Sequence, residues 1–350
     1  MSPLLPRQRA RRLAPALLGA AMATGVLAGT AAGGAARTGD QAVAMPDLEV
    51  PEPDAAAGEE PGRETPARDA RASLVGERAE AAAAPGGARG PAYADRSAHE
   101  RVPPAWTAAG AALARAIGPL ESEDPEVRVS VAVLDPVTGR TLRYGTGRFD
   151  TASVVKVDIV AALLLRAQDE GRELTGDERR LASEAIRLSD NDATHELWAM
   201  LGAEDGLDAA NARFGLTLTS GGADGHWGLT QTTASDQIAL LRAVFGPASP
   251  LSGPSRAFLQ ELMGTVADGQ RWGVSAAGSE DGTALKNGWL PRSHNGLWNI
   301  NSIGRVTVDD GRGYLVAVLS SGHPTSAEGI AKVEAAARSA VEVIRSVPAS

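Results

Sequence analysis

Four side chains in this sequence are of the types that open amide bonds, and they fall in three short clusters. Ser153 and Lys156 stand three apart in Asp150-Thr151-Ala152-Ser153-Val154-Val155-Lys156, which runs straight into an apolar helical stretch. On a helix that spacing puts both on one face, where their side chains can meet. A serine hydroxyl needs a base to take its proton, and an uncharged lysine amine is such a base. The first turn of a helix adds free backbone N–H groups and the positive dipole end, where an oxyanion would form. Ser189-Asp190-Asn191 comes next, then Lys286-Asn287-Gly288, whose lysine lies on a predicted strand that fixes its reach. Cleaving an amide or lactam needs a nucleophile, a base, an acid for the departing nitrogen and oxyanion donors. Each cluster taken alone also has a bland reading. Ser153 can be a helix cap with Lys156 a solvated charge, Ser-Asp-Asn is a common turn or cap, and a lone Lys-x-Gly carries almost nothing.

The elements that must hold these residues follow from periodicity. Trp106, Ala109, Leu113, Ala116 and Ile117 recur at helical spacing, with Gly118-Pro119 as the expected stop. Residues 127–134 alternate as a strand, Asp135 to Gly139 makes a turn, and 140–144 pairs back as a hairpin. The helix after Ser153 is apolar nearly all round, which predicts a central position, and Gly171 is its expected cap. Helices are predicted over 175–188, 192–201, from Thr233 through Val244, and over 255–263. Asp236 is expected to reach back to Thr233 as a capping box. The glycine-rich stretch 215–228 is the longest expected irregular loop. Strands are predicted at 283–289, 298–308 and 314–320, with a turn at Asp309-Asp310-Gly311 and a closing helix over 327–343. This order predicts an α/β (α+β) architecture: an antiparallel five-stranded sheet flanked by helices, with an all-helical subdomain inserted.

Composition bounds the function. The chain has 350 residues with a net charge of −9; residues 1–44 carry five arginines and one aspartate, so the remainder stands at −13. An acidic chain argues against nucleic acid as a partner. The sequence contains no cysteine, which excludes disulfides, thiolate metal sites and a lipidated cysteine. His99, His195, His226, His294 and His323 show no ligand spacing beside carboxylates, so no metal or cofactor is expected, and the protein is expected to be monomeric. Residues 1–44 read as an export signal: Arg7, Arg9, Arg11 and Arg12 precede a small-residue apolar core, with Ala42-Val43-Ala44 as the cleavage site or an earlier one near Ala36. A retained membrane anchor is the alternative. Residues 45–103 are Pro-, Ala-, Gly- and Glu-rich with almost no large apolar residue, which predicts a disordered linker. Residues 104–350 are the expected folded domain.

Taken together and in this order, the three clusters resemble the S-x-x-K, S-D-N and K-T-G motifs of class A β-lactamases and penicillin-binding proteins. The resemblance covers about 70% of the chain, from Pro104 onward. It implies an acylated nucleophile at Ser153, its base at Lys156, a proton relay at Ser189 and a positive strand lysine at Lys286. It further implies substrate contacts at Asn191, Asn287 and Gly288, and oxyanion donors at the backbone N–H of Ser153 and Trp289. Asp190 is expected to be structural. The implied activity is an exported serine hydrolase that opens β-lactams through an acyl-enzyme. The alternatives are a D-Ala-D-Ala-type peptidase or slowly deacylating penicillin-binding protein, and a non-catalytic domain that binds cell wall or β-lactams. The implied partner is a β-lactam or cell-wall peptide. Three departures bear on this. Asn287 stands where the family has Thr or Ser, and the gap from Ser153 to Ser189 is short, implying a more open cleft. The loop between Asn211 and Thr233 also lacks the Glu that drives water onto the acyl-enzyme, which leaves Asp224 and His226 as the candidate bases.

Overall fold

The computed structural model of the chain describes residues 104–279 and 282–348. The export signal and linker expected over 1–103 lie outside the described residues. The helices are α1 (Pro104–Ser122), α2 (Val155–Asp169), α3 (Gly176–Ser183), α4 (Asn191–Leu201), α5 (Ala203–Phe214), α6 (Ala234–Phe245), α7 (Gly253–Gly264) and α8 (Ser326–Ser346). The strands are β1 (Arg128–Asp135), β2 (Arg140–Tyr144), β3 (Phe149–Asp150), β4 (Gln231–Thr232), β5 (Ala284–Pro291), β6 (Trp298–Thr307) and β7 (Gly313–His323). Five strands form one antiparallel sheet in the order β2-β1-β7-β6-β5, and β3 pairs with β4 separately.

Both faces of the sheet are covered, so β1 is buried on both sides rather than half-solvated as an alternating strand would be. Val129, Val131 and Val133 face a core shared with α1 and α8, while Ala132 and Leu134 face one built from α2 and the other inserted helices. α2 is central to that second core, with twelve of its fifteen residues buried. The edge strand β5 therefore runs between two packed layers, with Leu285 in the first core and Lys286 beside the helical one.

Two expectations are corrected, and one helix is added. Gly118-Pro119 does not stop α1, which continues to Ser122. The last turn is held from outside: Glu121 accepts hydrogen bonds from the Tyr144 hydroxyl (2.5 Å) and the Val129 N–H (2.6 Å). Residues 203–214, for which the sequence reading gives no element, form a helix, and Leu207, Ala210 and Phe214 anchor it in the core. Thr233 caps α6, but the Asp236 carboxylate does not return the bond. It accepts instead from the Leu218 N–H (2.7 Å) and the Thr219 hydroxyl (2.8 Å), because the incoming loop packs over it.

Candidate active site

Ser153 lies in a 3₁₀ turn, Ala152–Val154, that runs directly into α2. Ala152 is held at φ +46°, a conformation that costs a residue with a Cβ about 1–3 kcal/mol unless its surroundings impose it. They do so here from three directions. Asn301 Nδ2 on β6 donates to the carbonyls of Asp150 (2.9 Å) and Thr151 (3.0 Å). The Thr151 N–H donates to the Thr230 carbonyl (2.9 Å). The Asp150 carboxylate pairs with Arg292 (2.8 Å) and accepts from Asn299 Nδ2 (2.9 Å) and Gln231 Nε2. Gly288 closes the fourth side: a Cβ there would stand 2.7 Å from the Ser153 nitrogen and 2.8 Å from the Thr151 carbonyl oxygen. The glycine of Lys-x-Gly thus lets β5 lie against the turn that carries the serine.

The Ser189-Asp190-Asn191 cluster ends the π-helical segment Glu184–Leu188 and begins α4. Ser189 takes a left-handed conformation (φ +61°), and Asp190 caps α4 by accepting from the Ala193 N–H (2.7 Å). This sharp reversal presents the Ser189 hydroxyl and carbonyl and the Asn191 amide to the same point. Lys156 fills that point. Its ammonium nitrogen donates to the Ser189 carbonyl (2.6 Å), Asn191 Oδ1 (2.8 Å) and the Asp190 carbonyl (3.2 Å), and lies 3.4 Å from Ser189 Oγ. Lys286 reaches in from β5 and donates to Ser189 Oγ (2.9 Å) and the Asn287 carbonyl (2.8 Å).

Both lysines are wholly buried, and among the described residues neither pairs with a carboxylate. A buried cation without a counter-charge is costly, and the usual response is to lose its proton. Burial draws the Lys156 pKa well below the ordinary lysine value, helped by the positive charge of Lys286 and opposed by Asp190. Burial alone brings Lys286 down to about 7. The Ser189 hydroxyl therefore sits between two amines that burial disposes to give up a proton, the property that general acid–base work asks of a lysine.

The expected contact between Ser153 and Lys156 is not a hydrogen bond: Lys156 is drawn across to the Ser189 turn by its three oxygen acceptors. Among the described residues none hydrogen-bonds the Ser153 hydroxyl, which is partly exposed at the head of α2. Asn287 departs from its expected role. On β5 it points away from Lys286 and Gly288, and it is fully buried. Its Nδ2 donates to the carbonyls of Gln270 (2.8 Å) and Trp272 (3.1 Å), and its Oδ1 accepts from Ser302 (2.6 Å). An amide so engaged has nothing left for a substrate carboxylate. Trp289 packs its ring edge-on against Trp272 (centroids 6.0 Å), so only its backbone is available for an oxyanion. Asp224 and His226 are exposed on their loop, with His226 Nδ1 3.2 Å from the Ala223 carbonyl, and neither side chain bonds Ser153, Lys156 or Ser189. The residue of that loop that does meet the lysine is Trp227, whose ring lies 4.8 Å from Lys156 Nζ.

Trp227, Asp150 and Asn301 are neighbours of the candidate site that motif spacing does not reveal. Asn301 stands among other polar residues of β6, so nothing in the strand's sequence singles it out. Asp150 also lines a cleft of about 330 Å³ with Arg128, Arg292 and Asn299, but neither Ser153 nor either lysine lines it. Among the described residues no cluster of His, Asp and Glu could hold a metal, and no helix is long and apolar enough to cross a membrane.

The chain has the fold of class A β-lactamases and penicillin-binding proteins. A class A β-lactamase from Bacteroides cellulosilyticus superposes with a TM-score of 0.60 at 19% identity, covering 68% of this chain and 99% of that one. A mutant of PBP-A, solved as an acyl-enzyme complex with penicillin G, superposes at 0.57 with 21% identity over 67% of this chain and 96% of that one. A mutant of the last common ancestor of Gram-negative class A β-lactamases gives 0.55 and 24% over 67% and 99%. No family model matches the sequence. Curated relatives from Mycobacterium tuberculosis and Mycobacterium bovis, each named "Putative lipoprotein LppW", are 32% identical over 170 residues, or 46% of this chain. The chain spans about half the length of these relatives, 54%.

Proposed function

We propose that this protein is an exported serine hydrolase that is acylated at Ser153 by β-lactams and releases the acyl group slowly. The observation that carries this is the pair of buried lysines without a counter-charge converging on the Ser189 hydroxyl, next to a strained turn that offers Ser153. Pure packing gives no reason to bury two amines, whereas an acyl-transfer site needs both. In the proposed reaction uncharged Lys156 takes the Ser153 proton as Oγ adds to the lactam carbonyl. The backbone N–H groups of Ser153 and Trp289 stabilise the oxyanion. As the C–N bond breaks, Ser189 gives its proton to the departing nitrogen and regains one from the Lys156 ammonium. Lys286 keeps the relay charged and attracts the substrate carboxylate, with the Asn191 amide as a further contact. Asn287 acts through the loop it ties down rather than by touching substrate.

A second reading, a peptidase acting on D-Ala-D-Ala-like cell-wall peptides with β-lactams as slow inhibitors, is favoured by the loop facing Lys156. It offers an indole there and no carboxylate. The basic, then apolar N-terminal stretch and the lipoprotein name of the mycobacterial relatives support export to a cell-wall-facing location. The test is to incubate the protein with penicillin G and follow its intact mass. An adduct on Ser153 that forms within minutes and persists is expected, and Ser153→Ala should form none. Rapid lactam turnover with only a fleeting adduct would favour an efficient β-lactamase. No adduct at all on the wild-type protein would leave only a non-catalytic binding domain.

A further inference from the structure

We infer that the cleft lined by Asp150 is a binding site for a phosphate group, free or carried on a sugar or polyol, with Arg128 and Arg148 as the cations that hold it. The inference does not depend on acylation, because neither Ser153 nor either buried lysine lines this cleft. Residues of β1, β3, β4, the end of β7 and the turn between β5 and β6 enclose its volume of about 330 Å³. Besides Arg128, Arg148 and Arg292, the lining includes the amides of Gln231, Asn295 and Asn299. Apolar ligands select pockets with apolar walls, whereas donor-rich walls like these suit a hydrogen-bonding anion.

The three arginines differ in how far their charge is already met. Arg292 pairs with Asp150 (2.8 Å), whose carboxylate also accepts from Asn299 and Gln231. Glu126 is the other carboxylate of the lining, yet among the described residues neither Arg128 nor Arg148 pairs with a carboxylate. Neutral groups hold these two instead. The Arg128 guanidinium lies over the buried Phe149 ring, 4.7 Å from its centroid. It also lies against Gly147, where a Cβ would stand 2.5 Å from Nη2. Gly147 itself adopts φ +110°, a conformation that favours glycine. Arg148 donates to Ser220 Oγ (2.8 Å). A guanidinium has five N–H donors, so stacking on a ring or bonding one hydroxyl leaves most of the fork for an oxyanion. On a chain of net charge −9, an anion needs a local excess of cations, and this cleft sets three arginines against two carboxylates. A phosphate monoester brings about −1.5 to −2 charges and three acceptor oxygens near pH 7, which matches two unpaired guanidiniums better than the single charge of a carboxylate. The volume falls at the lower end of small-molecule sites, roughly 300–1,000 Å³, and leaves room beside the phosphate for hydroxyls that the amides can meet.

The experiment titrates the full chain calorimetrically with inorganic phosphate, with glycerol 3-phosphate and, as the neutral control, with glycerol. At least one of the two phosphates should bind with a Kd of about 1 mM or tighter, and glycerol should not bind. Tighter binding of glycerol 3-phosphate identifies a carried phosphate as the ligand, and tighter binding of inorganic phosphate identifies the free anion. The double variant Arg128→Gln/Arg148→Gln should bind at least about tenfold more weakly, since it removes two charge-assisted partners. Arg115→Gln, exposed on α1 and outside the lining, removes a positive charge elsewhere and should leave the affinity unchanged. No binding of either phosphate at about 10 mM would overturn the inference. So would an unchanged affinity in the double variant, or an equal loss in Arg115→Gln, which would mark the binding as a response to net charge alone. Circular dichroism checks that the double variant folds. Should it not, Arg148→Gln decides alone, and native affinity there would rule Arg148 out as a cation of the site.

Discussion

At the scale of single residues, the site turns on two buried amines. Ser153, Lys156, Ser189 and Lys286 are legible from residue type and order, because the three clusters together supply hydroxyls and cations in one sequence, the first pair at a spacing that a helix fixes. What spacing cannot give is which atoms meet. Lys156 could bond Ser153 one turn away or the distant Ser189 turn, and the choice depends on carbonyls exposed only when Ser189 adopts φ +61°. Lys286 makes the energetic consequence measurable. Its pKa falls from the ordinary 10.5 to about 7 on folding, so between those values the unfolded chain binds the extra proton. Stability contributed by this group therefore rises with pH from about 7 towards 10.5, and below 7 the full cost of burying a charged amine is felt. Lys156, depressed for the same first reason, acts in the same direction. Lys286→Met should abolish measurable acylation, raise unfolding free energy at pH 7 by about 1–4 kcal/mol, and flatten the rise between pH 7 and 10. Urea denaturation at several pH values checks this. A variant less stable than wild type at pH 7 would show that the amine is compensated by contacts that its burial conceals.

At the scale of elements, the strand-to-turn contact through Gly288 shows how far local sequence reading reaches. β5 and the helix after Ser153 are both legible in the sequence, the helix from its apolar run. Their approach to within a missing Cβ is a tertiary fact, and only the identity of the third motif residue hints at it. Gly288→Ala would press its methyl group against the Ser153 nitrogen and the Thr151 carbonyl. Those are backbone atoms already fixed by Asn301 and Thr230, so they cannot move aside cheaply. The variant should lose about 1–3 kcal/mol of stability and acylate at least about tenfold more slowly. Thermal melting and penicillin adduct rates read the two effects separately. Native acylation kinetics with an intact melting temperature would mean that β5 can withdraw without disturbing the nucleophile. The elements that sequence reading cut short or left unassigned share a cause. α1 outlasts Gly118-Pro119 because Glu121 is tied to β1 and β2, and 203–214 is helical because Leu207 and Phe214 are buried. In both, long-range contacts override weak local propensity.

At the scale of the whole folded region, the site belongs to neither core but to their seam. Lys286 comes from the sheet, Ser189 from the inserted helices and Ser153 from the head of the central helix, so the proposed acylation requires the sheet and the insert to hold one register. Asn301 is the residue that fixes it. Its Nδ2 donates to two carbonyls of the nucleophile turn, while its Oδ1 accepts from the Ser320 N–H on β7 (3.0 Å). One fully buried amide thus links the middle of the sheet to the strained residue Ala152. Asn301→Ala would leave three buried backbone groups without these partners, at about 1–3 kcal/mol for each that finds no substitute. The expected result is a loss of about 2–4 kcal/mol in urea unfolding, together with a drop in acylation rate larger than for an equally destabilised variant remote from the seam. Leu207→Ala on α5 is that comparison, a truncation expected to cost a similar 2–5 kcal/mol inside the helical core. If both variants acylate equally fast while folded, Asn301 serves only stability. If Asn301→Ala alone is slow, the strained turn owes its reactive geometry to the sheet, and the two cores form one catalytic unit.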